Sequence, residues 1–135
     1  MFLTSPDFDP GETIPKRFTC DGEGVSPALR WSHLPEGTVE LLIAMDDPEA
    51  AGGVLRHWAA WGVSPESGFL RAGFGPTTLE PGFHQAINDF GAPGYRGPCP
   101  PEGDPPHAYH FRVSALAEPI TAAAPGASCE EIVAL

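Results

Sequence analysis

The hydrophobic pattern along the chain predicts strands far more than helices. Val39 to Met45 (VELLIAM) is an unbroken apolar run of strand length, which reads as a strand buried on both faces. Leu55 to Val63 (LRHWAAWGV) mixes aromatic with small apolar residues and predicts a second strand. A period of two puts His57, Ala59, Trp61 and Val63 on one of its faces. The clearest alternation lies in His107 to Leu116 (HAYHFRVSAL). Here His107, Tyr109, Phe111, Val113 and Ala115 fall on a mostly apolar, inward face, while Ala108, His110, Arg112 and Ser114 face out. His107 and Tyr109 are the polar members of that inward face, at the end where a strand meets the mouth of a pocket. Thr19 to Trp31 starts as a turn-rich loop whose Ala28–Trp31 end enters a short strand. Helix signals are confined to the end of the chain, where Ser128 with Glu131 forms a capping box before an apolar stretch. So short a helix holds only if it packs onto the body.

Between the last two strands runs Gly73 to Pro106, rich in glycine and proline, with one short apolar piece near Phe83–Ile87. Long irregular segments in a small domain are commonly functional loops, and Phe83, Phe90 and Tyr95 favour order in this one. Composition supports the β reading. Glycine (16) and proline (17) are about twice as frequent as usual, which argues against a helical bundle. With 135 residues the chain forms a single domain, 1–135, able to bury roughly two thirds of its unfolded surface.

Charge then narrows the partners. Eighteen acidic residues against seven basic ones leave a net charge of −11, which repels nucleic acid and anionic lipid surfaces. No apolar stretch approaches the roughly 18 residues needed to span a membrane. The first ten residues lack a basic segment followed by a long apolar one, so the expected location is cytoplasmic. Three cysteines, Cys20, Cys99 and Cys129, form no CxxC pair and so exclude a zinc ribbon. Spacing does not decide whether Cys20 and Cys99 are bonded, and the cytoplasmic expectation weighs against it.

Four clusters carry candidate chemistry. Asp46-Asp47-Pro48-Glu49 follows the buried strand, where carboxylates are costly to desolvate unless bonded; alone it reads as an acidic turn. Arg56-His57-Trp58 puts a histidine on an apolar strand, which by itself reads as a satisfied core residue. Gly94 to Gly103 (GYRGPCPPEG) is stiffened by prolines, leaving only the Gly97, Cys99 and Glu102 amides as backbone donors between Gly97 and Glu102. Few, fixed donors suit capture of one oxyanion, although a rigid surface turn explains them as well. His107 and Tyr109 complete the set, with bonding to core backbone as the plain alternative.

In order along the chain, Thr19-Cys-Asp-Gly with Ser26-Pro27 and Trp31, Asp47-Pro-Glu-Ala, His57-Trp58, Gly94-Tyr-Arg-Gly-Pro-Cys-Pro-Pro101 and His107-Ala-Tyr109 resemble the phosphatidylethanolamine-binding protein family. The closest likeness is to its bacterial and archaeal branch, the Raf-kinase-inhibitor-like proteins. The resemblance is collinear from Phe8 to about Leu116, and the five motifs in order are specific where no single one is. It implies a mainly β fold, a sandwich of two antiparallel sheets with a few short peripheral helices and a C-terminal helix cut short. A small anion pocket is implied at one end. The family's motif carboxylates fall on Asp47 and Glu49, its pocket histidine on His57, its glycine-proline loop on Pro98, Cys99, Pro100 and Pro101, and its last motif on His107 and Tyr109.

The chemistry of these residues agrees with that placement. His57 and His107, the Tyr109 hydroxyl and the Cys99 amide are convergent donors for phosphate. Asp47 would repel an oxyanion, and is expected instead to hold a histidine tautomer or meet an ammonium head. Histidine protonation is expected to tighten anion binding. Three departures from the family bear on this site. Ala51, before Gly52-Gly53, stands where the family has proline and predicts a looser loop. Ala108 replaces an arginine. The family usually continues past position 135, which puts C-terminal gating of the pocket in question.

The expected function is therefore a non-enzymatic binding protein for phosphate or phosphorylated head groups of the phosphorylethanolamine kind, with no cofactor and no metal. The family's eukaryotic members modulate kinases, regulation of a kinase or protease is an expected role of this chain, and a homodimer is left open. Three alternatives remain: a small hydrolase using Cys99 with His107 or His57, a zinc site of His57, His107 and Asp47, and a protein-interaction module with a vestigial pocket.

Overall fold

In a computed structural model the described residues are 1–50, 52–75, 82–99, 108–121 and 126–134. Seven strands run in chain order: β1 (Phe2–Thr4), β2 (Leu29–Ser32), β3 (Glu40–Asp47), β4 (Leu55–Val63), β5 (Phe69–Leu70), β6 (His84–Gln85) and β7 (His110–Leu116). One helix, α1 (Cys129–Val133), follows them. The strands form two antiparallel sheets, a smaller one ordered β1-β2-β5 and a larger one ordered β6-β4-β3-β7.

The apolar run behaves as its composition demands. Every residue of β3 is buried, Leu41, Ile43 and Met45 toward the space between the sheets and Leu42 toward the opposite layer. In the first layer they meet Leu29 and Trp31 of β2, Trp58, Ala60 and Val63 of β4, and Phe74 and Tyr95 from the loops. The second layer is closed by α1, whose Cys129 and Ile132 pack on Ala59, Trp61 and Ala86. The predicted capping box is formed: the Glu131 N–H donates to Ser128 Oγ at 3.1 Å and the Ser128 N–H donates to Glu131 Oε1 at 3.4 Å. A five-residue helix is too short to stand alone, and its buried face supplies what propensity cannot.

Three strand expectations are corrected. β3 does not stop at Met45 but continues through Asp46 and Asp47, so the acidic cluster begins inside the sheet. Pairing of β7 starts at His110 rather than at His107, which lies outside the described residues. The alternation from Tyr109 onward holds, with Tyr109, Phe111, Val113 and Ala115 half-buried and Ala108, His110, Arg112 and Ser114 exposed.

The single face expected for His57, Ala59, Trp61 and Val63 does not exist, because β4 is bulged twice against β3. Met45 pairs with Trp58 but Asp46 with Arg56, leaving His57 as an extra residue. Ile43 pairs with Ala60 but Leu41 with Val63, which inserts another residue at Trp61–Gly62. Gly62 adopts φ +76°, and a Cβ there would lie 1.9 Å from the Gly82 carbonyl oxygen. Only glycine fits, and the kink turns Val63 into the inter-sheet core while Ala59 and Trp61 stay under α1.

The cysteines answer a point that spacing left open. Cys20 and Cys99 are joined in a disulfide across 79 residues of sequence, with Cα atoms 5.4 Å apart. Spacing could not show this, because the turn at residues 16–24 and the loop at 94–99 meet only in the folded chain. Cys129, the first residue of α1, is the free thiol and is buried against Ala59, Trp61 and Ala86.

Candidate functional site

Five segments converge at the end of the larger sheet: the last residue of β3 and its following turn, the first bulge of β4, the loop Gly94 to Cys99, the residues just before β7, and the turn at Lys16–Asp21. Each is held by bonds that can be followed from the sequence.

Asp47 closes β3 and is 2% exposed. Its Oδ1 accepts the Glu49 N–H at 2.9 Å, a local turn that aspartate followed by proline favours. Glu49 is exposed, and its Oε2 accepts the Ala108 N–H. That bond ties the acidic turn to the backbone next to Tyr109, 59 positions away. Glu49 therefore acts first as a latch that fixes where Tyr109 stands.

His57, the bulged residue, is 2% exposed. Its Nδ1 lies 2.6 Å from the Arg96 carbonyl oxygen. A carbonyl can only accept, so Nδ1 carries the hydrogen and Nε2 presents a lone pair. Nε2 is buried and has no hydrogen-bond partner among the described residues. Burial pushes the imidazole below its usual pKa, against the opposing pull of the Arg96 carbonyl and the Asp47 charge. The ring is thus neutral near pH 7. Phe90 and Tyr109 stand edge-on to it, with centroids 5.1 and 5.5 Å away. Bulges re-aim side chains next to functional sites, and this one aims a histidine.

The loop that supplies the Arg96 carbonyl is pinned at each step. The Arg96 N–H returns a bond to the His57 carbonyl at 3.1 Å. The Tyr95 hydroxyl, buried in the core, donates to the Phe18 carbonyl at 2.8 Å, and the Cys20 N–H donates to the Pro98 carbonyl at 3.2 Å. Gly97 lies so close to the 16–24 turn that a Cβ would come within 2.5 Å of the Phe18 oxygen. The disulfide closes the rim, with both Cys20 and Cys99 exposed.

Tyr109 is half-buried, and its phenol is pushed up to about 12, first by burial and then by the charges of Asp47 and Glu49. It stays protonated near neutral pH. In front of it opens a groove of about 1620 Å³, bordered by Glu49, Pro98, Cys99 and Tyr109, whose charged lining sets Lys16 and Arg112 against Glu12, Asp21 and Glu49. Arg112 also pairs with Asp46 across the sheet.

Of the residues singled out in the sequence, Asp47, Glu49, His57 and Tyr109 are gathered at one place, and Pro98 and Cys99 form the adjoining wall. Pro100, Pro101 and His107 lie outside the described residues. His110 is exposed on the outer face, as alternation required. The hydrolase alternative is corrected, because Cys99 is spent in the disulfide and offers no thiolate. Among the described residues no cluster of three or more His, Cys, Asp and Glu side chains is placed to hold a metal ion. The Arg96 carbonyl and Phe90 escaped sequence reasoning. A main-chain oxygen leaves no mark on composition, and nothing near Asn88-Asp89-Phe90 marks a ring that will cover a histidine.

The family model described as phosphatidylethanolamine-binding protein matches residues 4–134. A UPF0098 protein of Aquifex aeolicus is 41% identical over 132 residues, covering 98% of this chain and 77% of that protein. A UPF0098 protein of Archaeoglobus fulgidus is 45% identical over 112 residues, and there the match takes in 81% of this chain but only 38% of the relative. Among solved structures, Escherichia coli YbcL, described as a new member of the mammalian PEBP family, superimposes with a TM-score of 0.88 at 33% identity. That superposition covers 98% of this chain and 86% of YbcL.

Proposed function

The chain belongs to the phosphatidylethanolamine-binding protein family, and from that premise we propose that it is a non-enzymatic binding protein with a small pocket for phosphate or phosphorylated head groups. The observation that carries this reading is the meeting of Asp47, Glu49, His57 and Tyr109 beside a groove lined by Glu49, Pro98, Cys99 and Tyr109; His57, whose buried Nε2 has no hydrogen-bond partner among the described residues, does not itself line the groove. A buried polar atom without a partner costs about 1–3 kcal/mol, and a ligand that pairs with it recovers that loss. Lys16 and Arg112 are the cations of the groove, set against Glu12, Asp21 and Glu49 and with Arg112 paired to Asp46, so positive charge there is local in a strongly acidic chain. Asp47 sits beside His57 and favours the ammonium end of a phosphorylethanolamine-like head group over its phosphate. By the family resemblance alone, His107, Pro100 and Pro101 are further expected ligand contacts.

Cys99 is bonded to Cys20 and so offers no thiol nucleophile. Regulation of a kinase or protease is the downstream role this reading carries. Among the described residues no helix is long and apolar enough to cross a membrane. The exposed disulfide favours an oxidising compartment over the cytoplasmic location expected from sequence.

Calorimetric titration with phosphorylethanolamine tests the pocket. The native chain is expected to give saturable binding, weakened about tenfold or more in His57→Ala, the equivalent of one lost hydrogen bond. Equal affinities for the two proteins would remove His57 from the site.

A further inference from the structure

We infer that the Cys20–Cys99 disulfide is a site of thiol–disulfide exchange that sets the affinity of the groove: the oxidised chain binds its phosphorylated ligand, and reduction by a dithiol weakens binding without unfolding the protein. This rests on the pocket proposed above and names its regulation. Three observations carry it. Both cysteines are exposed, so an attacking thiolate can reach them, and exposed disulfides are the labile ones. Both also line the groove, together with their neighbours Thr19, Asp21 and Pro98. Neither belongs to the two buried clusters that hold the layers together.

The exchange balances with a dithiol as reductant. One thiolate of the dithiol attacks a sulfur of the pair, the Cys20–Cys99 bond breaks, and the displaced cysteine leaves as a thiolate and takes a proton. The second thiol of the reductant then attacks the mixed disulfide. Two electrons have passed to the chain, which ends with two thiols, and the reductant ends as a disulfide. The structural consequence is local. The turn at residues 16–24 and the loop at 94–99 belong to no strand. Once the bond opens they stay joined by the Tyr95 hydroxyl on the Phe18 carbonyl and by the Cys20 N–H on the Pro98 carbonyl. The first of these lies in the core, where Tyr95 is 1% exposed, and persists. The second is made by exposed Cys20, whose N–H water can take. Freedom therefore enters at Thr19–Asp21 and Cys99 and stops at Tyr95. A rim that holds the bound arrangement for about a tenth of the time lowers the apparent affinity about tenfold. Cys129 stays out of the exchange, since it is fully buried and burial pushes its thiol up to about 12.

Phosphorylethanolamine is titrated calorimetrically into the intact chain in three states: oxidised, reduced with dithiothreitol without denaturant, and reoxidised. Affinity is expected to fall about tenfold on reduction and to return on reoxidation, with far-ultraviolet circular dichroism unchanged. Iodoacetamide is expected to label Cys20 and Cys99 in the reduced folded chain and to leave Cys129 unlabelled. Amide hydrogen exchange gives a reading that needs no ligand: it is expected to quicken at Thr19–Asp21 and Cys99 and to stay slow across Leu41–Met45. A Cys20→Ser/Cys99→Ser variant is expected to bind as the reduced chain does, with or without reductant. Equal affinity in the oxidised and reduced folded chains would overturn the inference and leave the pocket standing. So would a bond that opens only in denaturant, or a chain that unfolds as it is reduced, since the disulfide would then be a structural staple alone. Absence of binding to the oxidised chain would overturn the pocket reading, and the inference with it.

Discussion

Reducing the Cys20–Cys99 bond is expected to lower the unfolding free energy by about 2–5 kcal/mol. The bond links positions 79 apart, for which the chain-entropy relation gives about 4.5 kcal/mol. The two segments it joins make this a large effect for the site. Neither residues 19–24 nor residues 94–99 belong to a strand, so they have no ladder of their own to hold them. What remains after reduction is the Tyr95–Phe18 bond, the Cys20–Pro98 bond and the close seat of Gly97. The rim at Pro98 and Cys99 should loosen most, while Arg96 stays paired with His57. Urea unfolding with and without a dithiol reductant, repeated on a Cys20→Ser/Cys99→Ser variant, measures the loss. Thiol titration gives the companion result: one reactive thiol, Cys129, in the denatured unreduced chain and three after reduction. Three thiols before reduction, or identical midpoints with and without reductant, would contradict the assignment. The bond would then offer no support for an oxidising compartment.

Trp58→Ala is expected to cost about 3–5 kcal/mol, and to weaken ligand binding with it. Trp58 is 1% exposed at the centre of the inter-sheet core. Its ring meets Tyr95 edge-on at 5.6 Å, and its Nε1–H donates to Gln85 Oε1 at 2.8 Å. Truncation opens a cavity, removes an aromatic pair and takes a donor from β6. Its two neighbours matter for function, since His57 precedes it in the bulge and Tyr95 anchors the loop that orients His57. Val39→Ala is a suitable control, because Val39 is 51% exposed and such surface changes usually stay within about 0.5 kcal/mol. A Trp58→Ala loss no larger than that of the control would mean the ring is not the keystone described here.

Local pattern goes a long way in this chain, and the places where it stops have physical causes. β3, β4, the alternation of β7 and the capping box of α1 were legible because each depends on near neighbours in sequence. β1, β5 and β6, of two or three residues, carry too short a period to be read and owe their pairing to the strands beside them. Val63 changed faces because a bulge adds one residue to a count of two, and β4 has two bulges. Gly62 was the visible trace of one; nothing in Arg56-His57-Trp58 announced the other. The gathering of Asp47, Glu49, His57 and Tyr109 was anticipated through family likeness rather than periodicity. Their division of labour was not. That Glu49 latches Ala108, and that a main-chain oxygen sets the His57 tautomer, are facts of the folded chain alone.

The account stands or falls on whether a phosphorylated head group enters the groove beside Tyr109, Pro98 and Cys99. Amide chemical shifts recorded during titration with phosphorylethanolamine test this most directly. Saturable shifts clustered at Asp47, Arg96, Cys99 and Tyr109, and lost in His57→Ala, are the predicted result. Shifts gathered instead around Arg30 on the smaller sheet, or no shifts at millimolar ligand, would contradict it.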